Sequence, residues 1–261
     1  MLVAERRNTI KQLLFKKGSV KVSELVQLFN VSEETIRRDL NELEYQGLVE
    51  KNYGGAILID QGIVNETIPH VDQRKYQYSE EKDSIGKRAA ELVKSKQIII
   101  FDAGSTTWYA ASHLKNVENI TVISNGINIV EECSKNETAS IHSLGGELRR
   151  NSMSVIGPQA QSELLKYNAD IVFLGTSGIS LRHGFTSSDL YEAEIKQAMV
   201  SAGRKIVMLA DHSKLNKAGL VSFCNFDDVD LLITSELADQ EVVKKLRAAG
   251  LEVDQAPLLN H

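Results

Sequence analysis

Proline and cysteine are scarce in this chain of 261 residues, with three prolines and two cysteines. Prolines at positions 69, 158 and 257 and seventeen glycines exclude collagenous, proline-rich and low-complexity character. Cys133 and Cys224 lie far apart and match no metal or redox spacing. His113, His142, His183 and His212 share no ligand spacing either, so no metal and no cofactor is expected. No apolar run approaches the ~18 residues of a membrane-spanning helix. The opening Met-Leu-Val-Ala-Glu-Arg-Arg has no hydrophobic signal core. Together with the sparse cysteine, this leads us to expect a cytoplasmic protein. A hydrophobic content of 42% and a charged content of 25% describe a soluble globular chain. The length suits one large or two ordinary domains, enough to bury a core without disulfides.

The net charge of −5 hides an asymmetry. Residues 1–58 hold nine Lys/Arg against eight Asp/Glu, whereas the remainder carries a net −6. The first segment reads as three helices and a hairpin. Ile10, Leu13 and Leu14 give an apolar stripe ended by Gly18. Ser23 is a candidate N-cap for a short helix carrying Leu25, Leu28 and Phe29. Ser32 caps a third helix to about Gln46, with Glu33 and Glu34 at the positive end of its dipole. Ile36, Leu40 and Leu43 form its buried face, and Gly47 stops it. Two short apolar runs around Tyr53-Gly54-Gly55 suggest a two-stranded wing.

Two short helices joined by a tight turn, the second polar outside, describe a helix-turn-helix. With Ile36, Leu40 and Leu43 inward, Thr35, Arg37, Arg38 and Asn41 occupy the outer sides. Arg can donate twice to a guanine edge or clamp a phosphate. Lys51 and Tyr53 sit where a wing tip would meet the DNA backbone. Asp39 and Glu44 are expected in local ion pairs or cap contacts and not on anionic DNA. The competing reading is a helical docking domain with a solvated charged face.

Residues 59–78 have weak periodicity and read as a linker, partly helical. From Ser79 helix and strand alternate, with apolar strands near 97–101, 120–124, 140–144, 171–175, 205–209, 231–234 and 252–254. Near-continuous apolar strands separated by helices predict a mostly parallel sheet covered on both faces. The strand ending at Phe101 runs into Asp102-Ala103-Gly104-Ser105-Thr106-Thr107 and then a helix. Free amides and the helix dipole at such a junction favour an anion. Gly104 would let a ligand approach the backbone, and Ser105, Thr106 and Thr107 add hydroxyls. The loop is neither a Walker motif nor a Gly-x-Gly-x-x-Gly fingerprint. An ordinary strand–helix turn is the plain alternative. Asn125 and Gly126, Gly145 and Gly146, Gly175 and Gly178, and Asp211–Lys214 follow the other strands. Ligands of open parallel sheets bind beyond these carboxyl ends. Lys214 and Arg149 could neutralise phosphate, and Asp102, Asp189 and Glu192 could accept hydroxyl hydrogens. Trp108 is read as core packing and Cys133 as a buried apolar residue.

The words Ser32-Glu33-Glu34-Thr35-Ile36-Arg37-Arg38-Asp39-Leu40, Gly47-Leu48-Val49 and Tyr53-Gly54-Gly55-Ala56 resemble the signature of the DeoR family of bacterial transcriptional repressors. The loops at 102–107, 124–126, 144–146, 175–179, 184–196 and 210–214 extend the resemblance to its sensor domain, which is similar to ribose-5-phosphate isomerase. The resemblance implies an N-terminal winged helix-turn-helix over 1–58, followed by a Rossmann-like, mostly parallel α/β sensor domain over 79–261. It implies operator DNA and a phosphorylated sugar or sugar alcohol as partners, with Gly104–Thr107 on the phosphate and Asn125, Gly126, Asp189, Glu192 and Lys214 on the pocket wall. The isomerases carry carboxylates where this chain has Ser177 and Ser180. A serine without an activating partner is a poor general base, so a binder is expected, with no catalytic residues. An isomerase-like enzyme with an accessory domain is the alternative. Helix-turn-helix readers act on paired half-sites, so a homo-oligomer is expected.

Overall fold

A computed structural model of the chain describes residues 3–45, 49–52, 54–58 and 70–258. It divides into two compact units, Met1–Thr67 and Ile68–His261. The first comprises α1 (Val3–Lys17), β1 (Ser19–Lys21), α2 (Val22–Phe29), α3 (Glu33–Tyr45), β2 (Val49–Asn52) and β3 (Gly55–Leu58). Gly18, at φ 73°, ends α1 and donates its N–H to the Leu14 carbonyl at 2.7 Å. Ile10, Leu14, Leu25, Ile36, Leu40 and Leu43 make one buried core. The expected hairpin is present, joined by β1 in an antiparallel sheet of order β1-β3-β2. Gly55 is required at this join, because a Cβ there would lie 2.0 Å from the Val20 carbonyl oxygen. Ser32 accepts the Thr35 N–H at the start of α3, at 3.2 Å. Ser23 does not cap α2: the helix begins at Val22, with Lys21 as an extended N-cap residue lacking a side-chain bond. Gly47 and Tyr53 lie outside the described residues.

The second unit opens with α4 (Val71–Tyr76) and α5 (Ser79–Ala90), followed by β4 (Ile98–Phe101), α6 (Ser105–Ser112), β5 (Thr121–Ser124), α7 (Ile127–Cys133) and β6 (Ser140–Ser143). A hairpin of β7 (Glu147–Arg149) and β8 (Ser154–Ile156) precedes α8 (Pro158–Leu164), β9 (Ile171–Gly175), β10 (Gly178–Ser180) and β11 (Gly184–Ser187). The chain closes with α9 (Leu190–Ala202), β12 (Ile206–Leu209), β13 (Val221–Cys224), β14 (Leu231–Ser235), α10 (Gln240–Ala248) and β15 (Val253–Ala256). Residues 70–76 were expected in the linker. They instead belong to this unit, where Val71 is buried and its N–H bonds the Asn151 carbonyl at 2.7 Å.

Seven strands form a wholly parallel sheet of order β15-β14-β12-β9-β4-β5-β6. Alternate residues feed opposite faces, as a period of two demands. Ile100, Val172, Leu174 and Met208 enter one core, while Ile99, Phe101, Phe173 and Leu209 enter the other. Chain order reverses between β4 and β9, the position where an open parallel sheet splays its loops into a crevice. A smaller sheet, β10-β11-β13, and the β7–β8 hairpin stand beside it.

Candidate functional site

On α3 the apolar face is inward, and Arg37 and Arg38 project outward with side chains 52% and 75% exposed. Arg37 pairs with Glu33 at 2.6 Å and Arg38 with Glu34 at 3.4 Å, both at i,i+4 spacing. Asn41 accepts from Lys51 Nζ at 2.7 Å, and Glu44 pairs with the same ammonium at 2.8 Å. The Lys51 hydrogen bond holds the Glu44 carboxyl below the usual range. This ties the first strand of the hairpin to α3. Asp39 is buried between Arg6 at 2.6 Å and Arg7 at 2.8 Å, locking α3 onto α1. Thr35 shares a hydroxyl contact of 2.9 Å with Ser32. Asp39 and Glu44 thus both form ion pairs, Asp39 with residues distant in sequence and not locally.

At the β4/β9 reversal the residues of the 102–107 loop separate into two kinds. Thr107 is fully buried, accepting the Gly104 N–H at 2.9 Å and donating to the Asp102 carbonyl at 2.7 Å. Asn125 accepts the Ala103 N–H at 3.0 Å and donates to the Val155 carbonyl at 3.1 Å. Gly126 packs on Ala103, where a Cβ would come within 2.8 Å. All three shape the loop. Ser105 and Thr106 differ, because their hydroxyls form no hydrogen bond among the described residues. They open α6, whose first-turn amides have no intrahelical partner.

Two of the three carboxylates expected to hold sugar hydroxyls, Asp102 and Asp189, are engaged otherwise. Asp102 is ion-paired with Lys196 from α9 and accepts the Gly175 N–H at 3.1 Å. Lys196 also donates to the Gly175 carbonyl at 2.9 Å, so the pair clasps the ends of β4 and β9. Asp189 caps α9, accepting the Glu192 N–H at 3.0 Å, and is paired with Arg149 of the hairpin. Partial burial raises the Asp189 pKa, but the Arg149 bond and the amides of the helix end outweigh it and hold the carboxyl low. Arg149 is therefore committed to a carboxylate. Glu192 keeps a buried Oε1 without a hydrogen-bond partner. Lys214, on a short 3-10 turn at His212–Lys214, forms no ion pair among the described residues.

Two family models match this chain. A DeoR-like helix-turn-helix domain covers residues 6–62, and a DeoR C terminal sensor domain covers residues 77–236. An uncharacterized HTH-type transcriptional regulator of Bacillus subtilis, YulB, is 36% identical over 99% of this chain and 98% of its own length. The glycerol-3-phosphate regulon repressor of Escherichia coli is 32% identical over 97% of this chain and 99% of its own. Among solved structures, a ribose 5-phosphate isomerase from Plasmodium falciparum shows 19% identity and a TM-score of 0.36, covering 55% of this chain and 54% of that one.

The chain belongs to the DeoR family.

The DeoR-type sensor domain contains charged groups that sequence reading missed. Arg74 of α4 buries its Nε with no partner, and burial lowers its pKa against the pull of Glu192 and Asp102. Lys82 of α5 is 3% exposed, donates to the Arg74 carbonyl at 2.5 Å and lies 3.8 Å from Asp211. Burial lowers the Lys82 ammonium to about 8; Asp211 opposes this, and Lys214 and Arg74 reinforce it. Glu81, also buried, holds His212 Nδ1 at 2.7 Å and accepts from the Ser235 hydroxyl at 2.5 Å. One signal was available in the sequence: Asp189, Glu192 and Lys196 recur at helical spacing on α9. Arg74 and Lys82 gave none, because they lie on helices remote in sequence from every strand-end loop.

Proposed function

We propose that this DeoR-family chain is a transcriptional repressor of a carbohydrate-utilisation operon, released or engaged by a phosphorylated sugar or sugar alcohol. The observation that carries the ligand half is the buried Arg74 Nε, unpartnered beside a second buried cation, Lys82. A buried guanidinium donor with no acceptor is costly, and a phosphate supplies the acceptor. The amides and free hydroxyls of Ser105 and Thr106 at the start of α6 add donors of the same kind. Glu192, with its unpartnered Oε1, suits a sugar hydroxyl. Thr107, Asn125 and Gly126 hold the loop that presents these groups, and Lys214 adds charge. Asp102, Asp189 and Arg149 position other groups through their ion pairs.

The DNA half rests on Arg37 and Arg38, exposed on the outer face of α3, with Thr35 and Asn41 beside them. Lys51 supports them from β2, and Tyr53 is assigned to the wing by the family pattern alone. A homo-oligomer presenting paired heads is part of this reading.

A thermal-shift panel of phosphorylated sugars and sugar alcohols tests it. The cognate compound at 100-fold its Kd should add about 2.7 kcal/mol of stability. Its dephosphorylated counterpart should add almost nothing. Equal shifts from both would overturn the phosphate assignment.

A further inference from the structure

The recognition helix is acidic, which is unexpected for an element that approaches a polyanion. Residues 33–45 carry five carboxylates (Glu33, Glu34, Asp39, Glu42, Glu44) against two arginines, a net −3. Arg6, Arg7, Arg37, Arg38 and Lys51 each form an ion pair, and in every case the carboxylate lies on α3. The pairs differ in kind. Those of Asp39 are buried and serve packing. Those of Glu33 and Glu34 are exposed and engage the two side chains that face outward.

Sequence-independent affinity for DNA comes from cations that displace counterions at phosphates. An arginine paired with a glutamate brings no net positive charge to a phosphate, and the carboxylate faces the same backbone. Base readout is penalised less. Arg37 uses Nε and Nη2 on Glu33, at 3.0 and 2.6 Å, and a guanidinium has five N–H donors. Hydrogens remain for a guanine edge while the glutamate steadies the fork. Resting on the DNA-binding reading above, we infer that Glu33 and Glu34 are specificity-determining residues. They restrain Arg37 and Arg38 so that random duplex is disfavoured more than operator.

The test uses the full-length chain and two duplexes, the tightest one enriched from a random-sequence pool and a scrambled version of it. Glu33→Gln with Glu34→Gln should tighten binding to the scrambled duplex about tenfold at low salt and steepen its salt slope by about 1–2, the value for one or two added phosphate contacts. Affinity for the selected duplex should not follow, so the ratio between the duplexes falls. In an Arg37→Ala/Arg38→Ala background the same glutamine changes should have little effect on scrambled duplex. An unchanged ratio, or an equal gain with and without the arginines, would overturn the inference. Circular dichroism melts establish that the variants are folded. If the unaltered chain binds no duplex, the DNA-binding reading itself fails; if the arginine changes leave binding intact, the assignment of Arg37 and Arg38 falls and this inference with it. Binding that depends on the arginines but not on the glutamates removes only this inference.

Discussion

Lys82 is a buried amine among other charges, with Arg74, Lys214, Glu81 and Asp211 around it. Its pKa is lowered from the ordinary lysine range to about 8, chiefly by burial. The unfolded chain therefore takes up a proton between ~10.4 and 8 that the folded chain does not. The penalty is fully present below pH 8 and disappears as pH rises from 8 towards 10.4. Lys82→Met should raise stability at pH 7 by on the order of 1–3 kcal/mol, and the gain should shrink as pH rises towards 10. Denaturant melts at pH 7 and pH 9.5 check this. A variant less stable at both values would show that the bond to the Arg74 carbonyl outweighs the charge penalty. A group that costs stability and yet is buried beside an unpartnered guanidinium is what a site awaiting an anion requires. The two cysteine thiols are the contrasting case, since burial pushes both up to about 12 and leaves them unreactive.

At the scale of elements, the candidate phosphate helix α6 is held by a helix that touches it backbone to backbone. Gly86 of α5 sits where a Cβ would lie 2.6 Å from the Tyr109 carbonyl carbon and 2.7 Å from the Ala110 nitrogen. Gly86→Ala should cost about 1–3 kcal/mol by forcing the two helices apart, despite the better helix propensity of alanine. A calorimetric melt of the variant measures it, and a gain in stability would contradict the close approach. The same scale shows what could be read ahead. All seven strands of the parallel sheet were legible; the central ones, buried on both faces, are continuous apolar runs such as Ile98–Phe101 and Ile171–Gly175. The strands β7, β8, β10, β11 and β13 were not. Three of them have only three residues, and a segment such as Glu147–Arg149 is too short to establish a period. Helix α4 was legible only as part of a partly helical linker, as six residues give less than two helical turns.

Across the whole molecule, two units with separate hydrophobic cores carry the two proposed binding functions. A repressor that answers to a metabolite needs these sites coupled, and coupling is reciprocal. Saturating sugar phosphate should change affinity for the selected duplex by about 5–150-fold, and that duplex should change affinity for the sugar phosphate by the same factor. Fluorescence anisotropy with labelled duplex and calorimetry with the metabolite provide the two measurements. A factor near one in both directions would leave the binding sites energetically independent and end the regulator reading.

Local chemistry written along the chain determined the order of elements, the inward faces of α3 and the sheet, the loop at 102–107 and the family. Periodicity, caps and glycine at turns act over a few residues, so a linear reading captures them. Which charges meet was decided only by the tertiary structure. Asp102 lies 94 positions from Lys196, and Glu81 lies 131 from His212. Arg74 feels the charges of Asp102 and Glu192 only because α4 packs against the rest of its unit. A carboxylate reads the same in sequence whether it waits for a sugar hydroxyl or is already held by a lysine, because Coulombic partners are chosen by distance in space and by the loss of water around them.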